Sequence, residues 1–381
     1  MFKSTYSSLP VQYEFQLQAR CDRTEAYNLP DWYSFGNISP AINNYGNVAF
    51  KILGAWNQAI WYGSASTGRI VHTGARGACF SGVSLNNREC LVWEQLRSHR
   101  NGIWQYEVST NTTTQLTSEP QGSCGWTAAT LNDQGIIAFR AKFSGSYGFA
   151  TYTTPSETTA IFALTGDLDA SSIYSFLFLP SFNNQGQIAA KVRLGKPGAI
   201  GDERPDQIRI FDADGYSRLV VANQNHDADS PYQSFDNSLD FNDNGKIAFI
   251  ATLKSGQRAV LRFDGNKTEL IAIEGDGQLS QIERFPPRLN NQGLVIFRGF
   301  DAAGLRAIWA GNGITLHKVV TARDIVPTDK GELRLARPDN NAVFIGLPDL
   351  NDQGEIVFAA SLADPNHTST GFGAGLFVAR S

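Results

Sequence analysis

Short runs of alternating apolar and polar residues follow one another along almost the whole chain. Runs such as "KIAFIATL" and "RAVLRF" have the length and alternation of half-buried strands, and turn-forming stretches such as "KSGQ" and "DGNK" separate them. No stretch of useful length has the 3.6-residue periodicity of an amphipathic helix. The pattern therefore predicts an all-β protein made of short antiparallel strands.

One ten-residue phrase recurs within this pattern. It is "RLNNQGLVIF" at 288–297 and "DLNDQGEIVF" at 349–358, and further copies lie at 41–50, 84–93, 130–139, 181–190 and 240–249. The shared asparagines are Asn43, Asn86, Asn132, Asn183, Asn242, Asn290 and Asn351, spaced 43 to 61 residues apart. Periods of this length are typical of propellers and other repeat arrays.

The phrase itself predicts a turn followed by a buried strand. Asn with a Gly three residues later is turn chemistry, since the Asn side chain caps the local backbone and Gly accepts a positive φ. The apolar residues that follow end on an aromatic in most copies. Glu89 replaces the Gly in the second copy, which predicts a strained or differently shaped turn, and Ala190 replaces the aromatic in the fourth.

Four strands fit each repeat, which predicts one seven-bladed β-propeller domain over residues 1–381. The chain after the seventh phrase is too short for a complete blade, whereas a lone strand, "VQYEFQLQAR" at 11–20, precedes the first phrase. This N-terminal strand is predicted to complete blade 7 as its outermost strand. An open β-solenoid is the competing architecture, but it gives no reason for the complementary chain ends.

The Asn-x-x-Gly-x-x-x-Phe pattern resembles the bacterial tandem-repeat proteins named after an NxxGxxxF signature. It is carried by Asn132, Gly135 and Phe139 and repeated at 242–249 and 351–358. The resemblance extends from about residue 35 to the end of the chain. It implies a repeat protein and says almost nothing about activity, because that group is largely uncharacterised.

Charge and apolar content exclude several classes of partner. The net charge is −4 without any Lys/Arg run, which argues against nucleic acid, and no apolar stretch reaches the ~20 residues of a membrane span. The start "MFKSTYSSLPVQYEF" lacks the apolar segment of a signal peptide. A cytoplasmic location, or export without a recognisable signal peptide, is therefore predicted.

No cofactor or metal motif is present in the sequence. Cys21, Cys79, Cys90 and Cys124 lack metal-ligand spacing, so reduced thiols are favoured, although a Cys79–Cys124 disulfide is conceivable. "DFNDNG" at 240–245 begins like a calcium loop, but the required Glu is replaced by Ala251. We predict neither a metal nor a cofactor.

The long connections of the repeat point to one face of the propeller. Extra length gathers in connections between blades, at 21–34, 165–176, 223–235 and 322–344, and in two connections within blades, at 193–206 and 362–375. Because neighbouring strands are antiparallel, both kinds emerge on the same face. Binding and catalysis concentrate in such loops, so the site is expected there, beside blades 4 and 5 or beside blades 6, 7 and 1.

Candidate site residues lie in these connections. Arg23 and Arg323 suit an anionic ligand, Tyr27, Trp32 and Tyr33 suit stacking, and His226 has the acidic neighbours Asp227 and Asp229. Asp22, Asp167, Asp276 and Asp324 each follow an outer strand and are either mouth carboxylates or, as is commoner, turn caps. Trp61, Trp104 and Trp309 occupy matching strand positions, which indicates packing between blades.

Two functions are compatible with this pattern. The first is a recognition protein that binds a glycan, a small molecule or a protein loop at the face with the long connections. The second is an enzyme at the same mouth, of the lyase, hydrolase or aromatic-alkylating type, with His226, Tyr33 and Arg323 as its catalytic candidates. Since propellers host many activities, the fold alone does not decide between them.

Overall fold

A computed structural model describes residues 12–35, 39–96, 101–117, 126–143, 145–154, 156–196, 205–337 and 342–381. Within these ranges the chain forms seven antiparallel sheets and no helix, and the sheets are the blades of a β-propeller. The sequence-based prediction of a seven-bladed propeller is therefore confirmed. No helix in the described ranges is long and apolar enough to cross a membrane.

The strands follow the blades in chain order. Blade 1 contains β2 (Ala41–Ile42), β3 (Val48–Leu53), β4 (Gln58–Gly63) and β5 (Arg69–Thr73). Blade 2 contains β6 (Cys79–Phe80), β7 (Ser84–Leu85), β8 (Cys90–Leu96), β9 (Gly102–Glu107) and β10 (Thr112–Gln115). Blade 3 contains β11 (Trp126–Leu131), β12 (Ile136–Phe143), β13 (Ser146–Thr153) and β14 (Thr158–Leu164).

The next three blades share one plan, in which the innermost strand has two pieces. Blade 4 contains β15 (Tyr174–Leu177), β16 (Ser181–Phe182), β17 (Ile188–Leu194), β18 (Asp206–Phe211) and β19 (Ser217–Ala222). Blade 5 contains β20 (Tyr232–Phe235), β21 (Asp240–Phe241), β22 (Ile247–Leu253), β23 (Arg258–Phe263) and β24 (Thr268–Ile273). Blade 6 contains β25 (Leu279–Ile282), β26 (Arg288–Leu289), β27 (Val295–Asp301), β28 (Arg306–Gly311) and β29 (Leu316–Thr321).

Blade 7 joins the two ends of the chain. It contains β30 (Ile325–Thr328), β31 (Gly331–Leu335), β32 (Phe344–Leu350), β33 (Ile356–Ala363), β34 (Gly371–Arg380) and the N-terminal β1 (Glu14–Cys21). β1 pairs antiparallel with β34, with Glu14 opposite Arg380 and Cys21 opposite Ala374. The predicted closure by an N-terminal outer strand is thus confirmed.

One connection was predicted wrongly. Residues 322–344 were expected to form a loop, but β30 and β31 form a hairpin there, and β31 adds to the sheet by pairing with β33. The predicted connections at 165–176, 223–235 and 362–375 are also shorter than expected, because strands extend into them. Most of the 193–206 connection lies outside the described residues.

The apolar core lies between neighbouring blades. The aromatic that ends the phrase is almost fully buried in each copy that has one, as are Ala190, Trp61 and Trp309, and Trp104 is 7% exposed. Phe249, for example, packs in a cluster that also contains Ile208 and Ile210 of blade 4. The structural role predicted for the three tryptophans is confirmed. Each large ring buried in this way stabilises the blade interface by roughly 1.5–3 kcal/mol.

The phrase asparagines tie each turn to the next blade. The Asn132 side-chain oxygen accepts the backbone N–H groups of Gln134 and Ile136 at 3.1 and 2.9 Å, and its amide donates to the Asn183 carbonyl at 3.4 Å. Asn86, Asn183, Asn242, Asn290 and Asn351 make the same bond to their next blades. The Asn43 amide has no partner among the described residues. Glu89 has a φ of 56°, so the predicted strain in the second turn is confirmed.

The residues after these asparagines form a second closed circle, here called the Asn–Asp ring. Its members are Asn44, Asn87, Asp133, Asn184, Asp243, Asn291 and Asp352. Each backbone N–H donates to the side chain of the next member at 2.7 to 2.9 Å. The second oxygen of every carboxylate accepts the amides of both neighbours. The ring lies around the channel at the turn face, the face that carries the seven NxxG turns.

Candidate functional site

A cavity of about 910 Å³ opens at the other end of the channel, between blades 4, 5 and 6. We call this the blade 4–6 cavity and its side of the molecule the loop face, since the loop with Gln224 and Asn225 borders it. Its other lining residues are Phe176, Phe178, Lys191, Arg193, Asp206, Gln233, Ser234, Phe235, Asp236, Asn237, Ser238, Thr252, Arg258, Arg284 and Pro286. A cavity of this size and shape accepts a small organic ligand.

The blade 4 wall combines aromatic rings with a buried charge cluster. Arg193 donates to both carboxylate oxygens of Asp206, at 2.6 and 2.8 Å. Lys191 lies 3.0 Å from the same carboxylate and 4.3 Å from the centre of the Phe178 ring. One carboxylate is therefore shared by two buried cations, and the positive charge of this wall is only partly neutralised.

Lys191 is held by acceptors on two blades. Its ammonium group contacts the Asp206 carboxylate, the Phe235 carbonyl at 2.9 Å and the Asn237 side-chain oxygen at 3.2 Å. Burial lowers the pKa of Lys191, and Asp206 opposes that shift. Because three acceptors occupy its three N–H donors, Lys191 joins blade 4 to blade 5 and has no donor left for a ligand.

The position of Lys191 follows a rule that the sequence analysis missed. The residue directly after the phrase is basic in four of seven copies, as Lys51, Arg140, Lys191 and Arg298. Each donates to a carbonyl on the innermost strand of the next blade, at Phe80, Leu177, Phe235 and Gly346 respectively. The signal was present in the alignment of the seven copies, one residue beyond the phrase that defined them.

The opposite wall belongs to blades 5 and 6 and carries a cation, Arg284, that is unpaired among the described residues. Arg258 is paired with Asp236 through two bonds of 2.9 and 2.8 Å. Arg284 is exposed and lines the cavity, and no ion pair or hydrogen bond of its side chain occurs within the described ranges. Gln233, Ser234 and Asn237 are also exposed at this wall. Arg284 and these polar groups are therefore available to a ligand.

The residues that line the cavity carry more positive than negative charge. The ionisable lining residues are four cations, Lys191, Arg193, Arg258 and Arg284, and two carboxylates, Asp206 and Asp236. Lys191 and Arg193 share Asp206, and Arg258 is paired with Asp236, so one excess positive charge lies in the buried blade 4 cluster and the other at the exposed Arg284. A site with an unpaired guanidinium at its mouth favours carboxylates and phosphates, which this group binds through two parallel bonds.

The candidates predicted beside blade 1 lie outside this cavity. Asp22 accepts the backbone N–H of Thr24 at 3.2 Å and lies 3.4 Å from Arg20. Tyr27 donates to the Ala65 carbonyl at 3.2 Å, and Tyr33 packs against the core cluster of blades 7 and 1. Trp32 is 66% exposed with a φ of 68°, and Arg23 is exposed.

The candidates at the junction of blades 6 and 7 form a local turn. Arg323 has a φ of 82° and is exposed, and its carbonyl accepts a bond from Arg334. Asp324 accepts the backbone N–H of Thr321 at 2.7 Å, and burial raises the pKa of its carboxyl group. The turn-capping interpretation also fits Asp276, which accepts two local N–H groups, and Asp167 accepts the Ser146 hydroxyl.

The third group, His226, Asp227 and Asp229, lies on the exposed loop that borders the cavity. Asp227 caps this loop by accepting the backbone N–H of Asp229 at 3.1 Å. None of the three lines the cavity, although their neighbours Gln224 and Asn225 do. The structure therefore does not bring His226, Tyr33 and Arg323 together in the cavity.

No cluster of three or more potential metal ligands occurs among the described residues. Cys21, Cys79 and Cys90 are free thiols, and Cys124 lies outside the described ranges. The pairing considered for Cys79 and Cys124 is therefore left as a hypothesis.

Residues 94–381 match the model of one protein family, described as a family of unknown function (DUF7453). No curated protein sequence matches the chain.

Three solved structures with a similar fold have low sequence identity to this chain. The β-propeller domain of the Trilobed protease from Pyrococcus furiosus is 12% identical, with 91% of this chain and 95% of that chain covered and a TM-score of 0.60. An oligogalacturonate lyase in complex with manganese is 13% identical, with 96% of both chains covered and a TM-score of 0.56. Oligogalacturonate lyase from Vibrio parahaemolyticus is 10% identical, with 97% of both chains covered and a TM-score of 0.58. At these identities the likeness shows the fold alone.

Proposed function

The chain belongs to the DUF7453 family of unknown function, and from its cavity we propose that it is a recognition protein for an anionic small molecule or sugar. The ligand binds in the blade 4–6 cavity at the loop face. The observation that carries this proposal is Arg284, an exposed guanidinium without a partner in the part of the chain that the structure describes, in a cavity whose other cations are held by protein groups. An anion placed there gains charge-assisted hydrogen bonds without breaking an existing ion pair.

The aromatic wall supplies the second half of the recognition. Phe176 and Phe178 meet edge to face with ring centres 4.7 Å apart, and both are partly exposed to the cavity. Lys191 and Arg193 lie within 4.3 and 5.5 Å of the Phe178 ring centre. These cations already make cation–π contacts with the ring, so the wall is a poor partner for a cationic ligand. It suits the apolar face of a neutral or acidic ring.

The positions and contacts of the candidate proton-transfer residues favour binding over catalysis. A general base must reach the substrate, and His226 and Tyr33 do not line the cavity. Lys191 does line it, but its three donors are occupied by Asp206, Phe235 and Asn237. An enzyme at this mouth would have to use another group.

The proposal is tested by calorimetric titration with phosphate, citrate, D-glucuronate and benzoate, against lysine and glucose as cationic and neutral probes. We expect at least one acid to bind, and Arg284→Gln to weaken that binding about tenfold or more, since a hydrogen bond to a charged group contributes about 1.5–3 kcal/mol. Arg88→Gln, an exposed arginine on the turn face, is the matched control and should leave affinity unchanged.

Two results would contradict the proposal. One is binding of lysine or glucose in preference to every acid. The other is acid binding that survives Arg284→Gln but is lost in Arg23→Gln, which would move the site to the connections beside blade 1.

A further inference from the structure

A layer of side chains lies in the channel between the blade 4–6 cavity and the Asn–Asp ring. Its members stand two residues before the phrase asparagines, and in blades 1 to 4 they are small, namely Ala41, Ser84, Thr130 and Ser181. In blades 5 to 7 they are Asp240, Arg288 and Asp349, which we call the channel triad. One side of the channel is therefore roomy and hydroxyl-bearing at this level, and the other side is charged.

The carboxylates of the triad are fixed by hydrogen bonds from neighbouring blades. Asp240 accepts the backbone N–H of Leu289 at 2.8 Å and the Ser181 hydroxyl at 3.1 Å. Asp349 accepts the backbone N–H of Ile42 at 3.3 Å. These bonds hold both carboxylates on the channel wall, on either side of Arg288.

Arg288 lies farther from its carboxylate partners than Arg193 and Arg258 do from theirs. Its guanidinium lies 3.8 Å from Asp240 and 3.5 Å from Asp349, whereas Arg193 and Arg258 reach their carboxylates at 2.6 to 2.9 Å. Its Nε, which is the atom 3.5 Å from Asp349, is buried, and within the described ranges the side chain makes no hydrogen bond. The side chain is 30% exposed although it lies inside the molecule, so it faces the channel. An acceptor that enters the channel would therefore gain hydrogen bonds from these donors.

The charges around Arg288 determine which kind of hydrogen-bond acceptor fits beside it. A second anion at Arg288 would meet Asp240 and Asp349 on both sides, and like charges repel. A neutral hydroxyl group suits the layer better, because it accepts from the guanidinium and donates to a carboxylate. Ser84 and Ser181 add hydroxyls to the same layer. The triad therefore matches a polyhydroxylated group.

The channel triad lies directly below the cavity. Ser238 and Pro286 line the cavity and stand two residues before Asp240 and Arg288 in the same segments. Two residues of extended chain cover roughly 7 Å, so the triad forms the next layer down the channel. Arg284 and Arg288 are four residues apart, which puts at most about 14 Å between their backbone positions.

We infer that the ligand of the blade 4–6 cavity is an acidic oligosaccharide longer than one sugar unit. Its anionic group binds Arg284, a sugar ring packs on Phe176 and Phe178, and the hydroxyls of a further unit reach the channel triad. This inference rests on the proposed function of the cavity. It adds that the ligand has more than one sugar unit and that the part reaching the channel triad is uncharged.

The test uses calorimetric titration of the full chain with D-glucuronate and with uronate oligosaccharides of two to four units prepared from pectin, alginate and hyaluronan. We expect affinity in at least one series to rise tenfold or more from one unit to three. Arg288→Met should remove that gain and leave glucuronate binding unchanged, whereas Arg284→Gln should weaken every acid. Asp349→Asn, which preserves the shape of the layer, should reduce the gain if Arg288→Met fails to fold.

The outcomes separate the two proposals. If small acids bind and Arg284→Gln weakens them, but affinity is independent of length, the inference is wrong and the proposed function stands. The same holds if the gain with length survives both Arg288→Met and Asp349→Asn. If no acid of any length binds, the proposed function fails and the inference fails with it.

Discussion

The partly buried side chain of His72 is expected to make the stability of this protein depend on pH. Its ring lies between Phe80, Trp93 and Trp104, with ring centres 5.1 to 5.5 Å away. Within the described part of the chain, its buried Nε2 has no hydrogen-bond partner. Burial lowers the pKa of His72, so the folded protein disfavours the charged imidazolium.

The consequence is a loss of stability in mild acid. The unfolded chain takes up a proton at His72 near pH 6.5, whereas the folded chain does so only at lower pH. The contribution of His72 to stability is therefore complete above pH 6.5 and is lost as the pH falls below that value. We expect His72→Phe to flatten this part of the profile of unfolding free energy between pH 7.5 and 5.5, measured by urea denaturation. An unchanged slope in the variant would show that other groups cause the dependence.

At the scale of the element, the Asn–Asp ring makes the seven turns depend on one another. Asn87 donates to Asp133 at 3.0 Å, and its own side-chain oxygen accepts the backbone N–H of Asn44. Asn291 instead lies between two carboxylates, Asp243 and Asp352, and donates to both at 2.8 and 3.0 Å. The same substitution at the two positions therefore has different consequences.

Asn87→Asp creates one contact between carboxylates and should destabilise the protein by roughly 1–3 kcal/mol. Asn291→Asp creates two such contacts and should destabilise it by more. Both losses should shrink when the pH is lowered far enough to protonate the ring. Urea denaturation at neutral and acidic pH measures all three effects, and equal losses at the two positions would contradict the ring as an electrostatic unit.

The sequence predicts what is repeated and misses what occurs once. The seven phrases specify the blades, the inner turns and even the strained turn at Glu89, because each copy repeats the same physical requirement. The hairpin of β30 and β31 has no second copy to reveal it. The blade 4–6 cavity joins Phe178, Asn237 and Arg284, which are more than forty residues apart, and nothing local marks them as neighbours. The long connections predicted a site on the loop face, where this cavity lies, but did not identify these side chains.

At the scale of the whole molecule, that hairpin fastens the closing strand. Arg20 of β1 is fully buried and donates to both oxygens of Asp329, at the tip of the hairpin, at 2.7 and 2.8 Å. It also donates to the Glu25 carbonyl at 2.6 Å. The strand that completes blade 7 is therefore held by its pairing with β34 and by a buried ion pair to a segment more than three hundred residues away.

Breaking this pair should loosen the closure. Arg20→Leu leaves Asp329 without its partner and should destabilise the protein by about 3–5 kcal/mol, the usual effect of removing one member of a buried pair. Arg380→Gln is the matched control, because Arg380 is 42% exposed and its bond to Glu355 should contribute about 1 kcal/mol or less. Urea denaturation measures both, and limited proteolysis should cut Arg20→Leu first near β1. Similar losses in the two variants would contradict a special role for the hairpin.

The number of blades has a consequence for the composition of the Asn–Asp ring. Two kinds of member can alternate without exception around a circle only if the circle has an even number of places. A ring of seven must therefore contain at least one pair of neighbours of the same kind. In this protein that pair consists of two amides, Asn44 and Asn87, rather than two carboxylates. The two neighbours that break the alternation therefore carry no charge and do not repel each other. A six- or eight-bladed protein built from the same phrase would be free of this mismatch, whereas every seven-bladed one must contain an odd number of them.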